Sequence, residues 1–174
     1  MIRYGSVLVA ALLCAGCAPS PQIYSDEKPV LDVPTYFAGM TDAWGYFQDR
    51  NGKVGKRFKV EVQGTWSGQT GTLDEHFTYS DGTTSRRVWT ITRIDEHHYV
   101  GKADDVVGEA KGEAYGNALH WRYVLKLPVD GSTYEVSFDD WMYQMDDQVM
   151  LNYSSMSKFG VRLGEVVLSF RRRA

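Results

Sequence analysis

The chain has 174 residues, with 19 basic and 22 acidic side chains for a net charge of −3, and 43% of it is hydrophobic. That balance excludes the basic footprint by which proteins hold nucleic acid, and the length suits one domain around one core. Two cysteines exclude a disulfide framework.

The chain opens with Arg3, an apolar run from Val7 to Leu13, and then Cys14-Ala15-Gly16-Cys17. A spanning helix needs about 20 apolar residues. The stretch from Ile2 to Ala18 falls short, is interrupted by Arg3, Gly5, Ser6 and Gly16, and runs into Pro19 and Pro21. Residues 1–16 therefore read as a cleaved signal. An ordinary secretory signal with an incidental cysteine competes with a lipoprotein signal. Small residues directly before Cys17 favour the lipoprotein, although Cys14 stands where Leu is usual. Cys17 is expected to carry the acyl anchor. Ala18 rather than Asp after it fits sorting to the outer membrane of a Gram-negative cell, facing the periplasm. With Cys14 removed and Cys17 acylated, neither a cysteine nucleophile nor a Cys-ligated zinc is expected.

Residues 17–32 contain Pro19, Pro21 and Pro29 among polar residues and read as a lipidated, flexible tether. The domain is expected over residues 33–174, beginning with a helical turn between Thr35 and Met40. Phe58, Val60 and Val62 alternate with Arg57, Lys59, Glu61 and Gln63, which is the period of a strand with one buried face. The same period recurs around Leu73–Tyr79, Val88–Ile94, Leu119–Leu127, Tyr134–Phe138, Val149–Tyr153 and Val166–Phe170, with turn chemistry at Asp81-Gly82 and Asp130-Gly131. About eight or nine strands in sequence predict an all-β, antiparallel up-and-down barrel, because closure removes the two edges of an open meander. A closed sandwich is the alternative. The small residues Gly108, Ala110, Gly112 and Ala114 read as a bent strand at a barrel corner.

Polar residues in phase with apolar faces mark the candidate site. Glu75 is in phase with Leu73 and Phe77, Arg87 with Trp89 and Ile91, and Asp140 with Val136 and Phe138. A simple turn at Asp81-Gly82 sets Glu75 diagonal to Arg87. An inward charge is costly unless paired, so a buried Glu75–Arg87 pair competes with a role for Arg87 in meeting a lipid carboxylate or phosphate. Trp89, Trp121 and Tyr123 are expected to line the interior. Trp141, within Trp141-Met142-Tyr143, reads either as part of a cluster at the cavity mouth or as packing on the barrel. The acidic doublets Asp74-Glu75, Asp104-Asp105, Asp139-Asp140 and Asp146-Asp147 split between faces, because neighbours in a strand point opposite ways. The four histidines lack metal-binding spacing, no serine sits in a nucleophile elbow, and no phosphate-binding loop occurs. No catalytic residue, metal or cofactor is assigned. The basic run Arg171-Arg172-Arg173 reads as a solvated tail or a contact to phospholipid headgroups.

Trp44–Arg50, Gly71–Glu75, Ala103–Gly108, Gly116–Tyr123, Phe138–Tyr143 and Met156–Gly160 together resemble a bacterial lipoprotein family known only as domain of unknown function 3833. The resemblance spans nearly all of the domain and implies a small Gram-negative lipoprotein without an established activity. The chain also resembles the lipocalins, in which an Arg after the last strand packs across the Trp of the first. Arg171 or Arg172 over Trp44 would be the equivalent. Asp42 replaces the usual Gly, and the lipocalin disulfide is missing. Three functions are expected in turn. The first is an anchored barrel binding a fatty acid or phospholipid. The second is an envelope interaction protein with a packed core, contacting a partner through Trp141 and Tyr143. The third is an acid–base enzyme in which Asp105, Asp140 and a histidine meet.

Overall fold

A computed structural model describes residues 19–129 and 131–173. The signal at residues 1–16 and the lipidation site Cys17 lie outside the described residues. After a 3-10 turn at Pro21–Tyr24 and a short helix, α1 (Val33–Tyr36), the chain forms ten strands: β1 (Gly39–Asp49), β2 (Val54–Ser67), β3 (Thr70–Tyr79), β4 (Thr84–Arg93), β5 (His98–Lys102), β6 (Ala110–Tyr115), β7 (Ala118–Val129), β8 (Ser132–Gln144), β9 (Val149–Lys158) and β10 (Val161–Arg172). Each pairs antiparallel with its neighbour in sequence, and β1 closes onto β10 from Thr41↔Arg172 to Asp49↔Gly164. The expected up-and-down, lipocalin-like barrel is the fold.

The strand count exceeds the expected eight or nine because β5 and β6 are short and carry little alternation. The inward positions of β6 are Ala110, Gly112 and Ala114. These small residues leave room for a large ring. A β-carbon on Gly112 would stand 2.1 Å from the indole of Trp121, and one on Gly101 would stand 2.4 Å from it. The strands are bare so that Trp121 can lie flat against them.

One end of the barrel is closed by the residues that precede β1. Asp32 caps α1, its Oδ1 accepting from the Thr35 amide at 2.9 Å, and its Oδ2 pairs with Arg93 at 3.0 Å. This cap, with Pro34 in the first turn, starts the helix at Val33, two residues before the expected position. Gly39, at φ +86°, ends the turn and begins β1. Tyr36 donates its hydroxyl to the Gln148 carbonyl at 3.0 Å, and Phe37 meets Phe170 edge-on at 5.9 Å. Leu31, Val33, Tyr36 and Phe37 are all buried. Each fully buried side chain of this size contributes about 1.5–3 kcal/mol.

The segment read as a flexible tether departs from that reading where it is described. Tyr24 packs edge-on against Tyr143 at 5.4 Å and Trp141 at 6.0 Å, and the Leu31 amide donates to the Gly116 carbonyl at 2.8 Å. The composition is polar, but Pro21, Tyr24 and Leu31 are spaced to reach an aromatic patch on the outer wall and the rim beyond it. At the other terminus Arg173 is not a solvated tail. It makes two hydrogen bonds to Asp42, at 2.7 and 2.6 Å. The lipocalin-type clasp also differs from expectation. Trp44 points outward and is 48% exposed, whereas the Arg172 guanidinium lies over Tyr36 at 5.9 Å.

Gly64 tests the closure. A β-carbon there would stand 1.6 Å from the Phe37 carbonyl oxygen, so α1 has to shift to admit one. Gly64→Ala is expected to lower stability in urea by about 1–3 kcal/mol, the usual cost of overpacking. An unchanged unfolding midpoint would show that α1 does not hold the barrel end.

Candidate ligand-binding site

Every strand turns alternate side chains inward, and the barrel they line is not filled. It contains a cavity of about 700 Å³. At its floor stand Val33, Phe37, Leu119 and Phe170, and toward the opposite end stand Phe47, Phe58, Leu127 and Tyr134. Trp89 contacts Trp121 and Tyr123 edge-on at 6.0 and 5.5 Å, and Tyr123 stacks on Phe138 at 5.0 Å. At the open end the β9–β10 turn carries Phe159, 94% exposed, with Val161 exposed beside it. Lys158 reaches over the rings of Tyr134 and Phe159, at 4.4 and 5.3 Å.

A polar belt crosses the middle of this apolar chamber. Glu75 and Arg87 face each other directly in the β3–β4 register, not diagonally, with 3.7 Å between Arg87 Nη1 and Glu75 Oε2. The remaining donors of Arg87 turn to Asp105. Nε donates to its Oδ2 at 2.9 Å, and Nη2 stands 2.8 Å from the same oxygen. Asp105 reaches the belt because the loop after β5 runs along β7. The Lys126 amide donates to the Asp105 carbonyl at 2.8 Å, and the Val107 amide to Val124 at 2.9 Å. The loop thus completes the wall where β5 and β6 are too short to do so. Across the chamber Asp140 accepts from the Tyr123 hydroxyl at 3.1 Å and from the Asn152 side-chain amide. Glu75 Oε2 and Ser154 Oγ are buried on the cavity wall without a hydrogen-bond partner.

Burial dominates the electrostatics. It pushes the Glu75 carboxyl up to about 7 against the pull of Arg87, with the charges of Asp105 and Asp140 adding to the rise. Burial also raises Asp140 to about 7, although Asn152 and Tyr123 stabilise its anion. The Tyr123 hydroxyl is pushed well above the phenol range by burial and by Asp140, so it stays protonated and donates.

Of the residues expected at the site, Arg87, Glu75, Asp140, Trp89, Trp121 and Tyr123 line the cavity. Trp141 does not. It follows Asp140 and so points out of the wall, where it stacks on His120 at 4.0 Å and is 8% exposed beneath Tyr24. Its indole N–H donates to Asp139 at 2.9 Å, and His120 Nε2 lies 3.1 Å from the same carboxylate. Among the described residues no histidine lines the cavity, so Asp105 and Asp140 meet none there. Among the described residues no group of metal-ligating side chains is assembled. Asn152 and Ser154 carry no motif. Their signal was two polar residues, two apart, in a strand with an inward Met at Met150 and Met156.

The raised carboxyls tie stability to pH. Both bind protons more tightly folded than unfolded, so stability is greatest below the ordinary carboxylate range and falls as pH rises toward 7. The loss in urea melts is expected to be about 3 kcal/mol for each carboxyl between pH 4 and pH 8. The double variant Glu75→Gln, Asp140→Asn should flatten that profile. A wild-type profile already flat over this range would contradict the burial described.

Comparison with solved structures places the barrel beside an S-type phycobiliprotein lyase from Guillardia theta, with a TM-score of 0.64 at 5% identity over 90% of this chain and 99% of that one. It is also similar to a protein of unknown function of the DUF3598 family from Nostoc punctiforme, with a TM-score of 0.58 at 11% identity over 84% of this chain and 51% of that one. At these identities the likeness is one of fold. No match was found among curated proteins. The family likeness carried by the tryptophan, glycine and acidic motifs extends over the described barrel, and a family model matches residues 11–172: the chain belongs to the family described as protein of unknown function (DUF3833).

Proposed function

We propose that this protein is a lipid-anchored barrel of the outer membrane that binds a small, elongated hydrophobic molecule. The observation that carries the reading is the chamber of about 700 Å³ with a wall of aromatic and aliphatic side chains. Its volume falls within the range of pockets that bury one small ligand, and a barrel of about this strand number can enclose one. Lipid leads the candidate ligands for two reasons. The chamber is apolar on both sides of a narrow polar belt, as a chain-bearing amphiphile requires. The exposed Phe159 and Val161 at the open end offer an apolar surface over which such a molecule can pass. The anchor rests on the run of small residues before Cys17.

An interaction protein with a solid core is less well supported. The interior is hollow, and Trp141, one of the two aromatics expected to meet a partner, is covered by the residues before α1.

Three measurements test the proposal. Protein purified from cells and examined by native mass spectrometry should retain small apolar molecules, and once stripped it should take up the dye phenylnaphthylamine. Leu127→Trp, which adds bulk inside the chamber, should weaken dye binding at least about tenfold, or 1.4 kcal/mol, with circular dichroism unchanged. A barrel that arrives empty and takes up no dye would overturn the ligand reading. Cys17→Ser should release the chain from the membrane fraction, and retention there would reject the anchor.

A further inference from the structure

The polar belt holds more acceptors than donors. Two carboxyls flank the one guanidinium, Glu75 from β3 and Asp105 from the loop after β5, and a third, Asp140 from β8, feels its charge across the chamber. Tyr123 on β7 is the other titratable group facing them, and Asp139 stands behind Asp140 on the outer wall. The guanidinium is already engaged, through Nε and Nη2 with Asp105 and through Nη1 toward Glu75. An incoming carboxylate or phosphate would add charge of the sign in surplus and would have to draw Arg87 away from Asp105. The expected partnership between Arg87 and an anionic head is therefore not the one this geometry favours. Two buried acceptor atoms have no hydrogen-bond partner: Glu75 Oε2, which has only the Arg87 guanidinium at 3.7 Å, and Ser154 Oγ, whose residue is 2% exposed. Buried acceptors without partners are costly, and a donor arriving with the ligand would relieve both.

We infer that the cavity takes a long-chain amphiphile with an ammonium head, which donates hydrogen bonds to Glu75 and Ser154 in the polar belt while its chain lies among the aromatic side chains of the chamber. This rests on the reading of the barrel as a binder of small hydrophobic molecules and assigns the head group that reading left open. An ammonium supplies several donors and offsets one of the surplus negative charges. A hydroxyl supplies one donor and no charge. A carboxylate supplies no donor and adds a further negative charge. Ionisation of Glu75 and Asp140 as pH rises through about 7 strengthens the preference, with Arg87 staying cationic and the Tyr123 hydroxyl staying protonated.

Dodecylamine, dodecanol and dodecanoate share one chain length and differ in the head. The full chain carrying Cys17→Ser is loaded with phenylnaphthylamine at pH 8, and each amphiphile is titrated below its micelle concentration. The amine should displace the dye at a concentration at least about tenfold lower than the carboxylate, as a charge-assisted hydrogen bond implies, with the alcohol between them. Glu75→Gln should weaken the amine about tenfold and leave the alcohol within about twofold. If Glu75→Gln does not fold by circular dichroism, Ser154→Ala should weaken the amine severalfold. Dodecanoate competing as well as the amine would overturn the head-group assignment and leave the hydrophobic binding intact. An amine preference insensitive to both substitutions would also overturn it, as attraction to an acidic surface. Displacement by none of the three, with no dye uptake, would remove both readings together.

Discussion

The pairing of β1 with β10 is the constraint on which the rest of the molecule depends. Nine strand pairs arise from the order of the chain, but that one joins residues at opposite ends of it. Without it the meander has two unpaired edges and no inside. With it, every inward side chain is enclosed, and the environment of each is set by strands far away in sequence. Asp140 illustrates this dependence. Its hydrogen bonds come from β7 and β9, yet its carboxyl also responds to Arg87 on β4, across the lumen. The charged belt can exist only because closure gives it an opposite wall.

Closure also exposes a weak side of the barrel. β5 and β6 are half the length of their neighbours, and a loop has to complete the wall beside β7. That loop delivers Asp105, which engages two of the three guanidinium nitrogens of Arg87. A structural repair and an electrostatic element of the chamber are thus the same few residues. The arrangement leaves Glu75 with only part of a counter-charge, which is why burial prevails at that carboxyl.

Much of this was legible in the order of residues. Period two identified most of the strands, and the phase of Glu75, Arg87 and Asp140 with apolar neighbours placed all three inside. The same rule places Trp141 outside, since it follows Asp140 by one residue, but its place in Trp141-Met142-Tyr143 suggested either a mouth or packing on the barrel. The short strands were obscure because Gly101, Gly112 and Ala114 replace the large residues that make alternation visible. Asp105 was obscure because it arrives on a loop, where spacing has no fixed direction. The polar composition of the residues before α1 concealed single anchoring points at Tyr24 and Leu31, which depend on a surface that only the folded barrel provides.

The bare glycines beneath the indoles have an effect beyond fitting them. Trp121 rests where β-carbons at positions 101 and 112 would stand, and Trp66 does the same over Gly71. None of these glycines belongs to the cavity lining. The capacity of the chamber is therefore governed partly from behind its own surface. A methyl group gained at Gly101 or Gly112 would displace the indole of Trp121, which does line the cavity, and change the volume of the chamber with every lining residue unchanged. The size of the chamber is thus set by its smallest residues as much as by its largest.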